Sequence, residues 1–190
     1  MTPGQIIVLN GVPRSGKSSI ARVIQERFEG VWINLGVDVA MAATPEKYRP
    51  GIGLRPGGER PDLEPLVKQL YAAVFDSIAA QSRMGLNVVS DFGIHDSYTR
   101  PLGIFADMQA RLADLPLLVV GVLCPIDTIM ARRNANPQGG YYTGGDEVPA
   151  PVRRWQETVH AGKRYDLTVD TSVMSAEACA GAIEAATTEG

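Results

Sequence analysis

Gly11-Val12-Pro13-Arg14-Ser15-Gly16-Lys17-Ser18 decides how this chain is read. It fits the pattern G-x-x-x-x-G-K-[S/T] at every fixed position. The apolar run Ile6-Ile7-Val8-Leu9 precedes it, with the length of a strand. Ser19, Ile20, Val23, Ile24, Arg27 and Phe28 follow at helical spacing. That strand–loop–helix context separates a working phosphate loop from a chance match. Such a loop turns backbone N–H groups inward on phosphate oxygens, and the helix behind it adds its positive end. Lys17 supplies a full charge to the β- and γ-phosphates, and the Ser18 hydroxyl can ligate Mg²⁺. Residues 11–19 are therefore expected to bind a nucleoside triphosphate: Gly11, Val12, Pro13, Arg14, Ser15, Gly16, Lys17, Ser18 and Ser19.

The 190 residues suffice for one domain with a sizeable core. Hydrophobic content of 45% and charged content of 21% are those of a globular protein. A net charge of −3 offers no basic excess for a nucleic-acid surface. Two cysteines, Cys124 and Cys179, have no metal-type spacing and make no disulfide framework, which fits a reduced, cytoplasmic setting. No apolar run reaches the ~18–20 residues of a membrane span, and residues 1–5 lack the charged start of a signal peptide.

Outward from the loop, strands alternate with helices. Strands are expected at residues 5–10, 31–35, 86–90, 117–123 and 165–170. Several are continuous apolar runs, which suits strands covered on both faces. Helices are expected at 17–28, from 63 to the stop at Gly85, at 100–112, after Pro125, around Val152, Trp155 and Val159, and after Ser175. Asp62 is the expected cap of the second of these. The Gly/Pro-rich stretch 50–61 reads as part of a substrate-covering region. The pattern implies one α/β domain over residues 1–190, a three-layer α/β/α sandwich on a five-stranded parallel sheet.

Three features converge on one sheet edge. Gly36-Val37-Asp38 follows the second strand, and Asp91 ends the third. Asp91 suits Mg²⁺, directly or through water, together with Ser18. Asp38 suits a general base that orients a hydroxyl acceptor and takes its proton, or else the cap of a helix starting near Val39. His95 and Asp96 lie in the next loop. Arg132 and Arg133 close one helix, a Gly-rich segment follows, and Arg153 and Arg154 sit on the next helix. Helix, loop and helix with arginines on both arms is the make-up of a lid over about 132–155, which brings guanidinium groups to the transferring phosphoryl.

The chain resembles the chloramphenicol phosphotransferase-like family of small-molecule kinases. The resemblance rests on Ile7-Val8-Leu9-Asn10-Gly11, Gly36-Val37-Asp38 and Val88-Val89-Ser90-Asp91. It continues through Val120-Gly121-Val122-Leu123-Cys124 to Arg132, then Gln156, His160 and Tyr165-Asp166-Leu167-Thr168-Val169-Asp170-Thr171. It implies ATP-dependent phosphorylation of a hydroxyl on an antibiotic-like small molecule, with Mg²⁺. Asp38 would be the base, Lys17 would stabilise the phosphates, Arg132 would lie near the nucleotide, and Thr171 would lie near the adenine. Relative to the family, Asn134-Ala135-Asn136 stands where further lid arginines are usual, and Phe92 where a second acid is common. Two other readings stay open at this point: a metabolic or nucleoside kinase of the same fold, and a nucleotide-binding regulatory protein. The sequence leaves a homo-oligomer open as well.

Overall fold

The computed structural model describes residues 2–49, 60–136 and 147–188. Five strands form one sheet: β1 (Ile6–Asn10), β2 (Trp32–Asn34), β3 (Asn87–Phe92), β4 (Leu117–Leu123) and β5 (Leu167–Asp170). Their order is β2-β3-β1-β4-β5 and every pairing is parallel. Between them run α1 (Lys17–Arg27), α2 (Val37–Ala43), α3 (Glu64–Arg83), α4 (Ile104–Leu112), α5 (Ile126–Ala135) and α6 (Ala150–Thr158), and α7 (Ala176–Thr188) follows β5.

The strand alternation explains the layers. Ile6 and Val8 of β1 face Tyr71, Phe75 and Ile78 of α3 and Met108 and Leu112 of α4. Ile7 and Leu9 face the other way, onto Ile20 and Ile24 of α1 and Cys179 and Ile183 of α7. Successive residues of a strand point to opposite faces, so a strand between two helical layers is apolar at every position. All five residues of β1 are buried. The expected α/β/α sandwich on a parallel five-stranded sheet is the observed fold.

Strand order reverses at β1, with β3 on one side and β4 on the other. Open sheets of this kind hold ligands at the carboxyl ends of strands flanking the reversal, where α1 begins here. β3 runs to Phe92, one step past the expected end, because its ladder with β1 continues through Leu9↔Asp91 and Asn10↔Phe92. Asp91 is therefore fixed inside a strand rather than just beyond one.

Three boundary expectations need correction. Asp62 does not cap α3. A 3₁₀ turn, Pro61–Leu63, precedes that helix, and the Asp62 carboxylate instead pairs with Arg60 at 2.7 Å. Asp38 is not a cap either, because α2 starts at Val37 and Asp38 lies in its first turn. The fourth helix starts at Ile104, not near Arg100. Gly103 adopts a left-handed φ of 65°, and its N–H donates to the Asp96 carboxylate at 2.9 Å, which holds the chain in a loop up to that point.

Gly121 gives a clear packing test. A Cβ there would lie 2.5 Å from Cδ2 of Tyr165. Gly121→Ala should lower the stability by about 1–3 kcal/mol through overpacking. Gly181, in α7, has nothing within 4 Å of an added Cβ. Gly181→Ala should raise the stability by about 0.5–1 kcal/mol, since Ala is the better helix residue. Chemical denaturation measures both; equal midpoints for the two variants would contradict this packing.

Candidate active site

The phosphate loop is tied down before it meets any ligand. The Gly11 N–H donates to the Phe92 carbonyl at 3.1 Å, and a Cβ at Gly11 would lie 2.5 Å from the Val122 carbonyl oxygen. The loop thus leaves β1 wedged between the ends of β3 and β4. Arg14 (φ 70°) and Gly16 (φ 94°) both take left-handed backbone conformations. Ser15 N–H closes a tight turn onto Val12 O at 3.1 Å.

Lys17 is buried, and its ammonium donates to the Val12 carbonyl at 2.8 Å. Burial pushes its pKa down to about 8, against the pull of Asp91 and Asp38. A lysine held this way exerts a strong, poorly screened charge on anything anionic entering the loop. One residue on, Ser18 Oγ donates to Asp91 Oδ2 at 2.7 Å. A hydroxyl beside a carboxylate is a hard-oxygen pair, which fits Mg²⁺ shared with substrate phosphates. No cluster of three or more His, Cys, Asp or Glu suited to a metal occurs among the described residues. A nucleotide-borne Mg²⁺ does not require one.

Asp38 reaches the same place by a different route. Leu35 N–H continues the β2–β3 pairing onto Val89 O at 3.1 Å, and Asn34 Oδ1 accepts the Gly36 N–H at 3.2 Å. A Cβ at Gly36 would overlap the Asp91 carboxylate. Only glycine lets the chain turn this close to Asp91, and the turn carries Asp38 into the cleft. Half-burial raises the pKa of Asp38, and the negative charge of Asp91 adds to the rise, partly offset by Lys17.

A cleft of about 870 Å³ runs along this sheet edge. Gly11, Pro13, Arg14, Gly16, Lys17, Ser18 and Ser19 form its floor. Val37, Asp38, Tyr71, Asp91, Phe92, Gly93 and Trp155 bound it on the β2–β3 side. Arg132, Asn136, Thr171, Met174 and Ser175 bound it on the β5 side. Val12 and Ser15 do not line it: the Val12 side chain packs against Cys124, Ile129, Trp155 and Val159, and Ser15 is buried.

The arginines divide. Arg132 lines the cleft. Its Nη1 donates to Arg14 O at 3.2 Å and Thr171 Oγ1 at 3.1 Å, and its Nη2 donates to Thr171 O at 2.6 Å. Arg133 does not line the cleft, contrary to expectation. It is buried on the other side of α5, with Nη1 3.9 Å from Met130 Sδ. Helical geometry forces this, since consecutive residues point about 100° apart. Arg153 and Arg154 are exposed and likewise off the cleft wall. Within the expected lid, residues 137–146 lie outside the described residues. Its return arm α6 rests on the phosphate loop through Trp155 and Val12.

His95 and Asp96 also stand off the cleft wall. His95 is fully buried, stacked on Tyr98 at 4.4 Å, with Nδ1 accepting the Ser97 N–H at 3.2 Å. Asn10, His160 and Tyr165 form a polar link behind the loop. Asn10 Nδ2 donates to Tyr165 Oη at 2.9 Å, Asn10 Oδ1 accepts the Ile94 N–H at 2.7 Å, and Tyr165 Oη lies 2.8 Å from His160 Nδ1. Tyr71, Phe92, Gly93 and Trp155 line the cleft in addition to the site residues expected from the sequence. Phe92 and Gly93 could have been expected too, since they directly follow Asp91. Tyr71 and Trp155 belong to apolar helical stripes and carried no signal beyond core packing.

Comparisons with known proteins bear on the family and the fold. The sequence profile of the chloramphenicol phosphotransferase-like proteins matches residues 4–188. Two curated proteins from two strains of Mycobacterium tuberculosis, each named a candidate O-phosphotransferase, are 26% identical over 186 residues. The alignment covers 90% of this chain and 77% of theirs. Among solved structures, the chain is similar to the Mycobacterium tuberculosis APS kinase in complex with AMPPNP and APS. That match has a TM-score of 0.65 and 16% identity, covering 98% of each chain. A sugar kinase from Janibacter matches with a TM-score of 0.64 and 16% identity, over 96% of this chain and 94% of that one. The Deinococcus radiodurans tunicamycin resistance protein matches with a TM-score of 0.62 and 18% identity, over 96% and 94%. These structures share the fold of phosphate-loop kinases.

The state of Lys17 is directly measurable. In the ligand-free protein its ε-carbon resonance should titrate near pH 8, and Asp91→Asn should move the midpoint lower by removing a charge that favours the ammonium. A midpoint at the ordinary lysine value of about 10.4 would contradict the burial that defines this floor.

Proposed function

The chain belongs to the chloramphenicol phosphotransferase-like family, and on that footing we propose that it transfers the γ-phosphoryl group of ATP to a hydroxyl of a neutral, antibiotic-like small molecule. The observation that carries the reading is Asp38. Its carboxylate shares one cleft with Lys17, Ser18 and Asp91, and its proton affinity is raised. A module that only binds nucleotide needs no base there.

Each residue has a role in this reading. The loop amides and Lys17 hold the β- and γ-phosphates, with Thr171 and Arg132 on the base side of the nucleotide. Ser18 and Asp91 would hold Mg²⁺, which when bound neutralises phosphate charge and orients the nucleotide. Asp38 accepts a hydrogen bond from the acceptor hydroxyl and takes its proton. The acceptor oxygen bonds to the γ-phosphorus, the bond to the β–γ bridging oxygen breaks, and ADP departs. The raised pKa of Asp38 makes it a stronger base.

The acceptor side of the cleft favours a neutral, partly apolar molecule over a nucleotide. Its wall offers Val37, Tyr71, Phe92 and Trp155. The basic residues that a phosphorylated acceptor would need are engaged elsewhere. Arg49 donates to the Thr44 and Ala42 carbonyls, Arg60 pairs with Asp62, and Lys47 lies over the Tyr48 ring. Arg55 falls outside the described residues. Cys124 and Cys179 are unpaired thiols, and no helix among the described residues is long and apolar enough to cross a membrane. Both fit the cytoplasmic setting in which ATP is abundant.

Asp38→Asn should lower kcat by about 10²–10⁴ and leave the affinity for Mg·ATP within a few-fold of the parent. The sign of the pH dependence follows from the raised pKa: activity is lost as pH falls through it. The acid limb of kcat/KM should therefore lie above the ordinary aspartate value of about 3.9, and the Asn variant should lack that limb. Transfer at the parental rate by Asp38→Asn would overturn the assignment of the base.

A further inference from the structure

Two carbonyls of the phosphate loop are held by side chains from other elements. Arg14 O accepts Arg132 Nη1–H at 3.2 Å. Ser15 O accepts the Thr171 hydroxyl at 2.6 Å. The two holders are joined to each other, Arg132 Nη1 to Thr171 Oγ1 at 3.1 Å and Nη2 to Thr171 O at 2.6 Å. Arg132 Nη1 also lies 3.5 Å from Cys124 Sγ. Thr171 is anchored in turn, its N–H donating to Leu123 O at 3.1 Å, where β5 leaves the sheet beside β4. The result is a closed ring of hydrogen bonds from the end of α5, through the loop, to the β5–α7 turn.

A peptide unit is planar and trans, so its C=O and N–H point in opposite directions. Holding Ser15 C=O on Thr171 therefore fixes the direction of Gly16 N–H, which points the opposite way, within the loop that is expected to bind phosphate. The preceding unit is held at both ends, Arg14 C=O on Arg132 and Ser15 N–H on Val12 O. That unit follows Arg14, whose φ of 70° is the one positive value among the described non-glycine residues. Such a backbone is strained for a residue with a Cβ and persists only where surroundings hold it. The Thr171 hydroxyl has one proton and gives it to Ser15 O while accepting from Arg132, so the chain of bonds runs in one direction and each bond polarises the next. Gly16 takes a left-handed φ of 94°, and Thr171 Cγ2 and Arg132 Nη1 lie 3.4 and 3.6 Å from where its Cβ would be, an ordinary contact that places both holders beside it.

We propose that Arg132 and Thr171 are positioning residues: through their hydrogen bonds to its carbonyls they lock the peptide planes of the phosphate loop flanking Ser15, and so set the affinity for the triphosphate through the loop backbone. The inference needs only that the loop binds polyphosphate; it holds whether or not the acceptor is a hydroxyl.

The test uses inorganic tripolyphosphate with Mg²⁺ as a probe lacking base and ribose, beside Mg·ATP, in equilibrium binding to the full chain. Thr171→Val keeps the shape of the side chain and removes the hydroxyl. It should weaken both ligands by the same factor, about tenfold for one lost charge-assisted link. Thr171→Ser should restore parental affinity for both. Arg132→Lys, which cannot reach two carbonyls and a hydroxyl at once, should also weaken both ligands in parallel. Loss of ATP affinity with parental tripolyphosphate affinity would assign these residues to base or ribose contact and overturn the lock. So would parental affinity for both ligands in Thr171→Val and Arg132→Lys. Because binding is read without turnover, a chain that transferred no phosphate would still test the lock while refuting the proposed function.

Discussion

The hydrogen bond from Ser18 to Asp91 joins the helix behind the phosphate loop to the strand beside it, and the rest of the site depends on that junction. It exists because β1 and β3 pair in a register that sets Leu9 against Asp91. A slip of one residue would turn Asp91 to the opposite face of the sheet and leave Ser18 without its partner. Asp91 then governs its neighbours. Its carboxylate demands glycine at position 36, which brings the chain round so that Asp38 enters the cleft. Its charge restrains the loss of a proton from Lys17 and opposes the loss of one from Asp38.

The floor of the cleft is thus a set of opposed charges in a partly desolvated setting. Lys17 is buried at a cost of about 3 kcal/mol, the fall from 10.5 to about 8 taken at 1.36 kcal/mol per unit. A bound polyphosphate would offset that cost by pairing with the ammonium. The same logic applies to the left-handed Arg14 and the fixed peptide planes around Ser15. Order is set in place during folding, and the ligand does not have to impose it.

Much of this was legible in the sequence. The fold followed from apolar runs alternating with helical spacing, and the phosphate loop from its fixed positions. Asp38 and Asp91 followed from their places after two strands. What escaped notice has physical reasons. Arg133 sits beside Arg132 in sequence, but a helix turns neighbours to different faces, and only the folded α5 shows which one meets the cleft. Tyr71 and Trp155 look like core residues because they are buried like core residues, yet one edge of each meets the cavity. Asp62 and Asp38 have good capping chemistry, but a 3₁₀ turn and an early helix start put the caps elsewhere. Thr171 was placed near the nucleotide by resemblance alone; its hold on Ser15 O depends on where the β5–α7 turn meets the loop, which no local pattern encodes.

The proposed function stands on transfer of the γ-phosphoryl group to a hydroxyl. Phosphorus NMR of Mg·ATP with the protein and a panel of hydroxylated antibiotics, sugars and nucleosides tests it most directly, with mass detection of each product. The account predicts a phosphomonoester resonance that grows in step with ADP for at least one neutral hydroxylated compound, and for none of the controls lacking the hydroxyl. ADP accompanied only by inorganic phosphate across the whole panel, or no ADP at all, would contradict it.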